Sequence, residues 1–145
     1  MQIWKALLIG ILGLGVLSQA FASNTSPVGT WTTIDDKTGK KRAVVQLTLS
    51  GTTLNGTIVK TYPQPGDTGM CTQCPGEFKD KKIQGLRFVW GLTDEGNGVW
   101  SGGNILDPKT GKIYKAKITV QGNKLFVRGY LGVSLLGRTQ VWSKK

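Results

Sequence analysis

Two cysteines, eight carboxylates and a set of large aromatic rings carry whatever chemistry this 145-residue sequence has, because it contains no histidine. Without an imidazole there is no Ser-His-Asp or Cys-His machinery, no His-ligated zinc, and no side chain whose unperturbed pKa lies near neutrality. Cys71-Thr72-Gln73-Cys74 has C-x-x-C spacing, which three chemistries share. A disulfide is the default in an exported chain, and closing so short a loop contributes about 2 kcal/mol in the chain-entropy model. A thioredoxin-like redox pair needs a helix N-terminus to stabilise its thiolate, whereas Pro75-Gly76 follows here. A zinc half-site needs two more ligands, and these would have to be carboxylates. Asp35, Asp36, Asp67, Glu77, Asp80, Asp94, Glu95 and Asp107 all fall in expected turns or loops. They form a paired acid–base site only if loops converge at one end of the fold. No Ser-x-x-Lys or Gly-x-Ser-x-Gly occurs. The residue types therefore predict no catalytic site, no metal site and no cofactor, and a protein that is not an enzyme.

The aromatic residues point to binding instead. Trp31, Phe88, Trp90, Trp100 and Tyr114 are placed by alternation where several face the interior of a sheet closed on itself. Eight strands enclose either a packed core or one small ligand. Phe88, Trp90, Trp100 and Tyr114 are the candidate ligand-binding residues, for a small hydrophobic or amphipathic molecule.

The elements that must position these rings read as strands. No segment after residue 22 repeats apolar residues at i, i+3, i+4 and i+7, while short alternating runs recur. Strands are expected over 29–34, 42–49, 54–61, 84–92, 99–106, 112–120, 124–130 and 138–142. Leu86, Phe88, Trp90 and Leu92 share one face of the fourth, and Tyr114, Ala116, Ile118 and Val120 one face of the sixth. In the third, either Ile58 or Val59 points inward. The connections are short and rich in turn residues, as in Asp36-Lys37-Thr38-Gly39-Lys40, Gly122-Asn123 and Asp107-Pro108-Lys109-Thr110-Gly111-Lys112. The D-x-K-T-G-K pattern in two of them lacks the second glycine and the helix of a phosphate loop. Parallel strands would need longer crossovers. The fold class is all-β, an eight-stranded antiparallel up-and-down barrel, with a two-sheet sandwich as the alternative. The segment from Tyr62 to Lys82 breaks the pattern with three prolines, several glycines and both cysteines. Such a loop in a compact domain is functional or disordered.

The first 22 residues read as a cleaved signal peptide. Lys5 precedes an apolar run over 6–17, too short to span a bilayer, and Ala20-Phe21-Ala22 offers small residues at the cleavage site. No cysteine near that point marks a lipoprotein. The expected product is one domain over 23–145, periplasmic or secreted. The formal charge is +11, one unit of which leaves with Lys5. The excess clusters at Lys37, Lys40, Lys41 and Arg42, at Lys79, Lys81 and Lys82, and at Lys109, Lys112, Lys115 and Lys117. It suits a solubilising surface or peripheral contact with anionic envelope components. Nucleic acid is not an expected partner, since no aromatic-basic motif is present. Gly132-Val133-Ser134-Leu135-Leu136-Gly137 is expected to plug a barrel end.

Gly29-Thr30-Trp31 at the start of the first strand and Arg138 at the start of the last resemble the Gly-x-Trp signature of lipocalin-type barrels. The resemblance implies that Trp31 closes the barrel base and that Arg138 packs across it by cation–π stacking. A longer series covers nearly all of 29–142. It comprises Asn55-Gly56-Thr57-Ile58-Val59, Cys71-Thr72-Gln73-Cys74, Lys79-Asp80-Lys81-Lys82-Ile83-Gln84-Gly85-Leu86, Trp100-Ser101-Gly102-Gly103-Asn104-Ile105, Arg128-Gly129-Tyr130 and Arg138-Thr139-Gln140-Val141-Trp142. It resembles the bacterial exported domain-of-unknown-function family 2147. That resemblance implies a lipocalin-like barrel in the bacterial envelope and no settled activity. Many members carry cysteines near the positions of Tyr130 and Gly137. Their absence here leaves Cys71 and Cys74 to pair with each other.

Overall fold

A computed structural model describes residues 26–132 and 137–145. The expected signal peptide, and residues 133–136 of the apolar segment expected to act as a plug, lie outside the described residues. Eight strands, β1 (Gly29–Ile34), β2 (Lys41–Ser50), β3 (Thr53–Thr61), β4 (Arg87–Gly96), β5 (Val99–Leu106), β6 (Ile113–Gln121), β7 (Lys124–Tyr130) and β8 (Gly137–Lys144), each pair antiparallel with the next. β8 returns to β1 and closes the barrel. Closure pairs every strand on both sides and leaves no free edge, so the sandwich alternative does not apply. The turns at 35–40 and 107–112, the 62–86 segment and the β7–β8 link share one end, called here the loop end. The opposite end, the base, holds the tight turns after Ser50, Gly96 and Gln121 together with the N-terminal entry and the C-terminus.

Alternation builds the core where it is regular. Val45, Leu47, Leu54, Ile118, Leu125, Trp31 and Trp142 are all buried to within 1% of full burial. The Trp31 indole N–H donates to the Pro27 carbonyl at 2.8 Å, which satisfies the one polar group such a ring brings inside. Phe88 stacks on Trp142 with centroids 5.9 Å apart. In β3 it is Ile58 that is buried, while Val59 is 39% exposed.

β4 departs from the alternating pattern. It begins at Arg87, later than expected, because the preceding residues bond irregularly to β3: Gly85 N–H to the Ile58 carbonyl at 2.7 Å, and Ile58 N–H to the Leu86 carbonyl at 2.9 Å. It runs on to Gly96, taking in Asp94 and Glu95, which the sequence places in a turn. The β3–β4 register shifts on either side of Gly56. As a result the consecutive residues Phe88 and Val89 are both buried, and Trp90 lies on the opposite face. Gly91, at φ 76°, then lets the chain bulge so that Leu92 returns to the interior. Phe88 and Trp90 thus do not share a face.

The long 62–86 segment forms a second layer outside β4 and against the β5–β6 turn. Cys71 N–H bonds the Lys81 carbonyl at 2.7 Å, Ile83 N–H bonds the Gly69 carbonyl at 3.0 Å, and Met70 bridges Lys82, so the segment doubles back as a miniature hairpin. Cys71 and Cys74 are joined by a disulfide. Both are buried within the same apolar cluster as the barrel core. Phe78, in a single 3-10 turn over Gly76–Phe78, stacks on Trp90 at 5.5 Å. At Gly111 the layer meets the β5–β6 turn: a Cβ there would lie within bonding range of the Gln73 carbonyl oxygen, and φ is 76°. Only glycine fits both demands.

Candidate functional site

A cavity of about 220 Å³ opens at the loop end, lined by Ile105, Asp107, Tyr114, Val127, Gly129, Gly137, Arg138 and Gln140. Register explains the set. Ile105 pairs with Tyr114, Ala116 with Gly129, Gly129 with Arg138, and Val127 with Gln140, so one face of β5 to β8 lines it. Room exists because Gly129 has no side chain. A Cβ at that position would sit 3.4–3.5 Å from Tyr114 and Ile105, at the cavity wall. The cavity combines apolar side chains with a phenol, an amide, a carboxylate and a guanidinium. That pattern holds one compact molecule with a polar end.

Of the four aromatic candidates, Tyr114 alone lines this cavity. Phe88 and Trp100 are 6% and 8% exposed and fill the interior. Trp90 lies on the outside against Phe78, where it borders an open groove of about 620 Å³ with Glu77, Lys81, Lys82, Gln84 and Arg87. Ile105, Val127, Gly129 and Gln140 were not singled out by the sequence. Their shared face follows only from cross-strand register, which no local pattern supplies.

Gly29 opens β1 and Trp31 closes the base, but Arg138 does not pack across it. Trp31 is opposite Lys144 in the β1–β8 ladder, and the Lys144 ammonium lies 5.6 Å from the indole centroid. Arg138 lies six residues earlier on β8, roughly 20 Å away at about 3.3 Å per residue, at the other end of the barrel. There its guanidinium grips Asp36 of the β1–β2 turn with two nitrogens, Nε at 2.6 Å from Oδ2 and Nη2 on Oδ1.

Most of the carboxylates are occupied in holding turns. Asp35 accepts the N–H groups of Thr38 and Lys37, which hold its carboxyl below the ordinary range. The Gln64 N–H does the same for Asp67, helped by Arg42 at 3.2 Å, against a smaller opposing effect of burial. Asp94 accepts from Gly96 N–H, Asp107 from Lys109 N–H and Glu95 from the Ser101 hydroxyl. Among the described residues no three Cys, Asp or Glu side chains converge as a metal site.

Over residues 29–144 the chain matches the model of a family described as "Uncharacterized protein conserved in bacteria (DUF2147)". Among solved structures it is similar to a Helicobacter pylori protein described as belonging to the lipocalin family. The TM-score is 0.71 at 16% identity, over 83% of each chain. No curated protein matches the chain.

Proposed function

The chain belongs to the bacterial family DUF2147, and from that premise we propose that it is an exported binding protein, not an enzyme, that takes a small amphipathic ligand into the loop-end cavity. The observation that carries this is the room left by Gly129 beside Tyr114 and Ile105, with the polar side chains of Arg138 and Gln140 in the same lining. A dry cavity of about 150 Å³ accommodates a benzene-sized molecule. One of about 220 Å³ accepts a somewhat larger body, an aromatic or short branched chain with one polar group at the Arg138 end. The lipocalin-type fold of the similar H. pylori protein supports the reading, as barrels of eight strands have room for one small ligand. Most of the carboxylates are tied into turns or ion pairs and the cysteines form a buried disulfide, which supports a reading away from catalysis.

Native mass spectrometry of the protein isolated from its own cell envelope tests the proposal together with Gly129→Val, which fills the cavity from an inward position. The wild type is expected to carry a small-molecule adduct, and the variant to lose it while melting within a few degrees. An adduct-free wild type, or a variant that keeps the adduct, refutes the assignment to this cavity.

A further inference from the structure

The charge of the barrel is segregated along its axis. Divided at the strand midpoints, the loop-end half carries fourteen Lys and Arg against six carboxylates, an excess of eight positive charges. The base half carries Lys124, Lys144 and Lys145 against Asp94 and Glu95, an excess of one, and Lys117 lies at the midpoint. Topology produces this separation. Three of the four loop-end connections bring in lysines, whereas the turns after Ser50 and Gly96 bring none. The cations are also presented outward. In the turns at 35–40 and 107–112 the side chains of Asp35, Thr38, Asp107 and Thr110 accept the backbone N–H groups of Lys37, Lys40, Lys109 and Lys112, so the turns are held through the lysine backbones and these four lysines stand exposed. Apolar side chains sit among them: Leu131 is 55% exposed and Ile113 36%. The base exposes Val28 and Leu49 as well but with an excess of only one positive charge around them.

We propose that the loop end docks on an anionic bilayer surface, with the lysines of the 35–40 and 107–112 turns against phospholipid headgroups and Leu131 and Ile113 at the interface. A flat, laterally extended anionic partner fits because the charge is spread over a whole end of the barrel and not gathered in one groove. Cations near such a surface each strengthen binding about fivefold, within a Debye length of roughly 10 Å at 0.1 M salt. Docking by this end requires no occupied cavity.

The test compares two double variants of equal net charge. Lys109→Glu/Lys112→Glu reverses two charges at the loop end, and Lys124→Glu/Lys145→Glu reverses two at the base. Co-sedimentation with vesicles of phosphatidylcholine, with and without phosphatidylglycerol, reads the binding. Wild type is expected to bind only the anionic vesicles and to be released by high salt. The loop-end variant is expected to bind about thirtyfold more weakly, from the loss of two favourable side chains alone, and the base variant to stay within about threefold of wild type. Should the loop-end variant lose its cooperative melt, Lys37→Glu/Lys40→Glu replaces it. Equal weakening by both variants would assign the effect to net charge and overturn the proposal. So would salt-insensitive binding, equal binding to neutral vesicles, or retention of soluble polyphosphate with no binding to vesicles.

Discussion

Breaking the Cys71–Cys74 disulfide in two different ways separates what the crosslink does from what its sulfur atoms do. Reduction removes the covalent constraint but leaves both sulfurs in place. For a loop closed across three residues, the chain-entropy cost is about 2 kcal/mol, equivalent to a shift of roughly 1 M in a urea midpoint. Cys71→Ala/Cys74→Ala removes the constraint and two side chains that are 0% and 2% exposed within the core cluster. Each lost sulfur forfeits about 1 kcal/mol of burial and contact, so the double variant is expected to lose about 4 kcal/mol. Reversible urea unfolding of the oxidised, reduced and double-alanine proteins, followed by tryptophan fluorescence, gives the three values. The reasoning fails if the reduced and oxidised proteins agree within about 0.5 kcal/mol, or if the alanine pair is no less stable than the reduced protein. The first outcome would mean that the segment is not constrained by the bond, and the second that the sulfurs are not packed against the core. Reduction itself is expected to be slow, since a reductant must wait for the 62–86 layer to lift.

Two further predictions concern the base and the acid limit. Trp31→Phe keeps a buried ring but strands the Pro27 carbonyl, which accepts the indole N–H; a loss of about 1–3 kcal/mol in urea unfolding is expected, with the barrel retained by circular dichroism. Asp67 has its pKa lowered in the folded state by the Gln64 N–H and then Arg42. Its contribution is therefore complete above the ordinary value of 3.8 and is lost as pH falls through the depressed one. Urea midpoints are expected to decline below about pH 4, and Asp67→Asn to make that decline shallower.

Where the polypeptide alternates without interruption, the sequence and the barrel agree. β1 and β7 lie over 29–34 and 124–130 as read, and Val45, Leu47 and Ile118 face the core; β5 keeps its bounds of 99–106 although its register shifts between Trp100 and Gly103. The disagreements all arise where register, a non-local property, intervenes. Counting in twos puts Trp90 beside Phe88, and the register shifts around Gly56, where Phe88 and Val89 are both buried, break the count before Trp90 is reached. A glycine inside a strand pattern is the signal that would have raised the question. Arg138 was carried to the base by the likeness to Gly-x-Trp barrels, yet the β1–β8 ladder sets Lys144 opposite Trp31. The cavity was legible only through Tyr114, because a void opened by Gly129 depends on which four strands turn the same face inward. The fate of the 62–86 segment lies in tertiary packing: its prolines and glycines read as loop, while Phe78 and the cysteines supply the apolar surface that fixes it to β4 and the β5–β6 turn.

The wall is not uniform around its circumference. β1 and β8 share two registered pairs, Trp31 with Lys144 and Thr32 with Ser143, with Lys145 N–H reaching the Thr30 carbonyl at the same end, whereas β2 and β3 share eight. Above those pairs the two strands are joined across the loop end by the Asp36–Arg138 ion pair, a side-chain strut in place of a backbone ladder. Among the described residues the seam is thus a cuff with a short backbone fastening at the base and a side-chain clasp at the loop end. Arg138 thus lines the chamber and at the same time ties the last strand to the first turn, two duties on one side chain.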